Sequence, residues 1–185
     1  MTVHIGSADH QTRLPMSWEE YNRLGDDIRG EFIDGALLMP PIPDRHHQVA
    51  ILHLVSRLSE VCAPSESVTT GWGWSPTGVA EEYVPDVMVH PATDDRARFT
   101  GIPLLCVEIT SGNWTNDLIL KRAKYAAARL RDYWVVDRRE RVLRQYVLQG
   151  NLSVEAGHLD GHGMVEARFA GRSVSVDLDV LLPTP

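Results

Sequence analysis

The sequence predicts an α/β domain built on a mixed β-sheet flanked by helices. Three observations lead there. Two apolar runs, "LLCVEIT" (104–110) and "DYWVVD" (132–137), read as strands buried inside a sheet. Apolar residues at helical spacing fill 45–62, and a second helical stretch, 114–130, lies between the two apolar runs. Shorter strand-like runs with turn signals complete an order of α, ββ, α, β, β, β, α, β, β, β.

Residues 1–15 read as an irregular leader, and 16–185 as one domain, a size that buries a sizeable core. "SWEEYNRLG" (17–25) reads as a short helix, with Ser17 and Glu20 as a capping box and Gly25 as its stop. In "GEFIDGALLMP" (30–40), Asp34-Gly35 is a hairpin signal between two short strands. "PPIPD" is a loop. In the helix 45–62 the spaced apolar residues are Val49, Leu52, Val55, Leu58 and Val61. Strands follow near 66–73 and 84–90, and "HPATDDRARFTG" is a polar loop. Past 132–137, "RVLRQYVLQ" and "NLSVEA" form a hairpin, and "VDLDVLL" is a short helix or docked turn.

No run approaches the ~20 apolar residues that span a bilayer, and the N-terminus carries no apolar signal segment. The expected setting is the cytoplasm, with no membrane partner. Cys62 and Cys106 sit among apolar residues, away from metal-ligand spacing, and are expected to be reduced and buried. The net charge of -7 argues against a protein that coats nucleic acid non-specifically. Yet residues 121–144 carry +6 and the remainder -13, so a local basic patch could meet phosphates; a solvated helix face explains it equally well. Of 18 basic residues only Lys121 and Lys124 are lysines, which draws attention to that helix.

Glu108 is the anomaly, a carboxylate inside an apolar strand. Burial without a partner is costly, so it meets a metal ion, a basic side chain or water at a strand end. Asp86 follows a proline at the start of the apolar strand "YVPDVMV", 22 residues earlier. Adjacent strands bring the two carboxylates to one end of a sheet, where their repulsion calls for a cation; oxygen-only ligation suits Mg²⁺ or Mn²⁺. Lys121 comes 13 residues after Glu108. Two acids holding a metal, with a lysine beside them, supply what phosphodiester hydrolysis needs.

These residues carry a resemblance. "EFIDGALLMPPIPDRHH", "VPDVMV", "PLLCVEITS", "NDLILKRAKYAAA", "YWVVD" and "FAGRSVSVDLDVL" resemble, over roughly 16–182, the Uma-two family described as putative restriction endonucleases, within the PD-(D/E)XK nuclease superfamily. The superfamily's usual lysine, two residues past the acid, is Thr110 here. The resemblance implies a restriction-endonuclease-like core in which the following helix supplies the lysine, Lys121, flanked by Asp117 and Tyr125. It also implies a Mg²⁺-dependent endodeoxyribonuclease acting on DNA. Asp86 and Glu108 would be the catalytic metal ligands, with the Ile109 carbonyl as a further one, and Glu31 an accessory acid.

Each residue keeps a plainer reading. On a helical wheel Ile119, Ala123, Ala126, Ala127 and Leu130 make the main apolar arc, which leaves Lys121 beside Trp114, Asp117 and Tyr125, where it could simply pair with Asp117. Asp86 could start a turn, Glu108 could pair with an arginine, and Glu31 could be a surface acid. His46 and His47 precede a helix and could contact phosphate or only pack its entry. "GWGW" (71–74) could stack on bases, form the core, or let Trp72 and Trp74 join two copies in a homodimer. No zinc motif, phosphate-cradling glycine loop or nucleophile elbow is present. The rival to a nuclease is a nuclease-like module that binds nucleic acid or protein without cutting.

Overall fold

The computed structural model describes residues 12–25, 30–110 and 115–183, with side chains from 118 onward in the last of these segments. In chain order the elements are β1 (Thr12–Pro15), α1 (Trp18–Tyr21), β2 (Glu31–Ile33), β3 (Ala36–Met39), α2 (Arg45–Val61), β4 (Glu66–Thr69), β5 (Gly73–Trp74), β6 (Val87–Pro91) and β7 (Arg98–Phe99). There follow β8 (Leu105–Thr110), α3 (Thr115–Ala127), β9 (Asp132–Asp137), β10 (Val142–Gln149), β11 (Leu152–Leu159), β12 (Met164–Phe169), β13 (Arg172–Asp177) and α4 (Leu178–Leu181). The main sheet has six strands in the order β11-β10-β9-β8-β6-β4. Only β8 and β9 run parallel in it, so the sheet is mixed, as predicted. The parallel pair needs a crossover, and α3 provides it.

Both faces of that sheet are covered, and strand alternation sorts the side chains. Leu105, Val107 and Ile109 pack with Ala50, Leu54 and Leu58 of α2 and with the β12–β13 hairpin and α4. Cys106 points the other way, into a cluster rich in aromatics that includes Trp74, Tyr83, Tyr125 and Tyr133. Glu108 and Thr110 alternate onto that second face.

The capping box at α1 is present, but the helix ends at Tyr21 and buries no residue. Asp34 and Gly35 both take positive φ, as a tight hairpin turn demands. β1 forms within the stretch expected to be irregular, because Thr12–Pro15 lies antiparallel to β3. The polar loop after β6 contains β7, which pairs with β5. The β12–β13 hairpin turns at Ala170-Gly171, both with positive φ; alanine gives no sequence signal for such a turn. Trp74 is 0 % exposed and donates its indole N–H to the Gly101 carbonyl, so it belongs to the core and not to a dimer contact. Cys106 is buried and reduced, whereas Cys62 is only half-buried at the end of α2. Among the described residues no helix is long and apolar enough to cross a membrane.

The largest revision concerns α3. Ile119 is 53 % exposed and Ala123 and Ala127 face solvent; the buried face is Lys121, Tyr125, Ala126 and Leu130. An alanine methyl contributes only about 0.8 kcal/mol on burial. Leaving a buried carboxylate without its partner costs roughly 3–5 kcal/mol. The helix turns to serve Glu108.

Arg172 of β13 clamps Glu66 of β4 with both guanidinium arms, at 2.5 and 2.6 Å. These bonds hold the Glu66 carboxyl at about 2, below its ordinary 4.5. A lowered acid stabilises the fold above its unfolded value, and that contribution disappears as pH falls from 4.5 towards 2. Arg172→Gln should therefore melt below the native protein at pH 6, with the gap closing towards pH 2. A gap that stays constant would show that the pair does not couple folding to protons.

Candidate active site

Glu108 is 8 % exposed, and two side chains from α3 meet it. Lys121 Nζ lies 3.1 Å from Oε2, and the Tyr125 hydroxyl donates to Oε1 at 2.7 Å. Lys121 and Tyr125 are four apart, so one helix face delivers both. Lys121, 6 % exposed, also lies 2.9 Å from Glu31 Oε2. Glu31 opens β2, is itself buried, and accepts the Val84 N–H on Oε1 at 2.8 Å. The accessory acid thus sits at the centre, with the ammonium held between two carboxylates.

Asp86 stands just before β6. The antiparallel pair Val87↔Val107, extended by one residue, sets Asp86 across from Glu108. Its Oδ2 accepts the Ile109 N–H at 2.7 Å, and its Oδ1 lies 3.0 Å from His47 Nε2. His46 is exposed; the histidine at the site is His47. Asp44 fixes that phase by capping α2 through the His47 N–H at 2.7 Å. Arg138 Nη1 reaches both oxygens of Asp44 at 3.1 Å, while its own N–H bonds the Thr110 carbonyl at 2.8 Å. Asp44 and Arg138 were not among the sequence candidates. They lie 94 residues apart, and only the fold brings them together.

Burial pushes the Glu108 carboxyl up to about 8; Lys121 pulls it down, Asp86 and Glu31 push it further up, and the Tyr125 bond lowers it. Burial, then the Glu108 charge, raises the Tyr125 phenol well above its usual range. Glu31 and Glu108 therefore hold Lys121 between them, and Asp86 stands beside Glu108. All line a cleft of about 1100 Å³ that also reaches His47, Trp72 and Arg138. Lys124 faces elsewhere, pairing with Asp34 and Glu81. The Asp117 side chain lies outside the described residues.

Among the described residues, no group of three or more His, Cys, Asp or Glu is arranged to hold a metal ion. Asp86 and Glu108 are two acids, and a hard divalent ion fills the rest of its shell with carbonyl, water and phosphate oxygens. Carboxylate and carbonyl oxygens are the donors that such an ion takes.

A crystal structure described as a putative nuclease belonging to DUF820, from Anabaena variabilis ATCC 29413, is similar in fold. Its TM-score is 0.71 at 17% identity, covering 90% of this chain and 97% of that one. No curated protein matches the sequence. A family model described as "Uma2: Putative restriction endonuclease" matches residues 18–178. That span takes in every residue of the cleft floor, and the chain belongs to this family of nuclease-like proteins.

Proposed function

We propose that the cleft hydrolyses phosphodiester bonds of DNA, with Asp86, Glu108 and the Ile109 carbonyl holding one Mg²⁺ or Mn²⁺. The observation that carries this reading is Lys121, a buried ammonium fixed between Glu108 and Glu31, with Asp86 as a third acid across from Glu108. When bound, the ion supplies polarisation of the phosphate and acidification of water. Lys121 orients the attacking water and offsets charge on the phosphate oxygens. Glu31 braces the ammonium from the far side, and Tyr125 fixes the Glu108 carboxylate. His47 and the Ile109 N–H aim Asp86. Position 110, a threonine, leaves the lysine's task to α3.

Supercoiled plasmid tests the reading. Purified protein should convert it to open circles with Mg²⁺ or Mn²⁺, and EDTA should stop the reaction. Plasmid bound but left intact would replace catalysis with a binding module.

The two strands of a duplex are matched most simply by a two-fold pair of chains. We accordingly expect a homodimer, with sedimentation at tens of micromolar giving twice the 20.7 kDa chain mass. A particle of single mass would refute it.

A further inference from the structure

Among the described residues Ile42 is the most exposed large hydrophobic side chain, at 96 %. Exposed aliphatics are ordinary when scattered, but the setting of this one is not. Pro40, Pro41 and Pro43 surround it. Proline fixes φ and removes the N–H donor, so three of them stiffen the segment and leave it few groups for strand pairing. Isoleucine adds a stiff, branched side chain. Both ends of the segment are anchored: β3 ends at Met39, and Asp44 caps α2 under the grip of Arg138. Ile42 is thus a rigid apolar tip, and it lines the same cleft as Asp86, Glu108 and Lys121. Arg45 and His46, both exposed, follow at the first turn of α2.

We propose that Ile42 is a wedge that enters a base step of duplex DNA lying in the cleft, with Arg45 on the adjoining phosphate. The proposal rests on the reading of the cleft as a DNA nuclease site. An isolated aliphatic tip is far too small for the centre of a protein interface, which buries roughly 800 Å² on each partner. It matches the gap between two base pairs, where unstacking offers apolar surface above and below. The neighbouring cation suits the phosphates that flank such a step. A wedge of this kind kinks and unwinds the duplex, and steps that open easily would be preferred. Ile42 thereby becomes a selector of cutting sites.

The test uses the full chain in EDTA, where the proposed nuclease does not cut. Closed circular plasmid is relaxed by a metal-independent topoisomerase with the protein present, then stripped of protein and its topoisomers resolved. Filter binding to the same plasmid is measured across a salt series. The native chain should shift the topoisomers towards unwinding. Ile42→Ser should abolish the shift and weaken binding about tenfold, the scale of losing one buried aliphatic side chain. Its salt slope should stay unchanged, because no phosphate contact is lost. Ile42→Leu should keep the shift, and Arg45→Gln should reduce the salt slope by about one. Binding without unwinding, or unwinding that survives Ile42→Ser, overturns the wedge and leaves the nuclease reading intact. A change in sedimentation mass in Ile42→Ser, with the shift unaltered, makes the residue a protein contact and also overturns it. Absence of DNA binding at every salt concentration removes the DNA reading of the cleft and the wedge together.

Discussion

Lys121→Met is expected to cut DNA about 10²-fold more slowly or worse, on the scale of removing one transition-state donor. It should also lose roughly 3–5 kcal/mol of stability at alkaline pH, the cost of breaking a buried ion pair. Glu108 and Glu31 would then face each other without the ammonium between them. The pH dependence has a definite sign. The Glu108 carboxyl sits at about 8 in the fold against an ordinary 4.5, so the native state holds its proton more firmly than the unfolded chain. Stability contributed by such a group falls as pH rises through that interval. Removing Lys121 raises Glu108 further, so the variant's deficit should grow from pH 6 to pH 9. Lys121→Arg keeps the charge but not the compact shape, and should also cut slowly. Lys124→Arg is the control, because Lys124 pairs with Asp34 and Glu81 away from the site. Cleavage rates and thermal melts across pH decide the matter. Equal losses in the two Arg variants would remove Lys121 from the mechanism.

Glu108→Gln should separate the metal from the fold. Without metal its melting temperature should stay near that of the native protein, since Gln can accept from Lys121 while its amide meets the Tyr125 oxygen. Mn²⁺ at one hundred times its Kd should stabilise the native chain by about 2.7 kcal/mol. For a domain of this size that is roughly 5–10 °C. Glu108→Gln and Asp86→Asn should each lose this increment, and cleavage with it. Full retention of the Mn²⁺ shift in both variants would place the ion elsewhere in the molecule.

What could be read from the sequence was local. Asp34-Gly35 announces its turn, Ser17 and Glu20 their cap, and helical spacing announces α2, although its buried face is Ala50, Leu54 and Leu58 while Val49 and Leu52 of the expected set are exposed. The run holding Glu108 showed both the central strand and the anomaly within it. The phase of α3 could not be read, because its buried face is chosen by a carboxylate 13 residues away and not by its own apolar residues. His46 and His47 differ by one step of a helix. Only the Asp44 cap, and the strand that presents Asp86, decide which of them turns inward. The sequence leaves Glu31 open between an accessory acid and a surface acid, since 77 residues separate it from Glu108, and leaves "GWGW" open between stacking on bases, the core and a dimer contact. These are contacts of high sequence separation, which no local pattern encodes.

Thr110 and Glu108 share one face of β8, while Lys121 reaches that face from the helix above it. A lysine at 110 and a lysine at 121 would therefore discharge the same obligation, cancelling the charge of the same cavity. The cavity's demand is fixed, and its supplier is interchangeable. On the proposed reading, a chain can gain the lysine on one element before losing it from the other, without passing through a form that lacks it. Motif searches that insist on a lysine two positions past the acid will pass over chains like this one, and searches posed in space, asking which ammonium fills the cavity, will not.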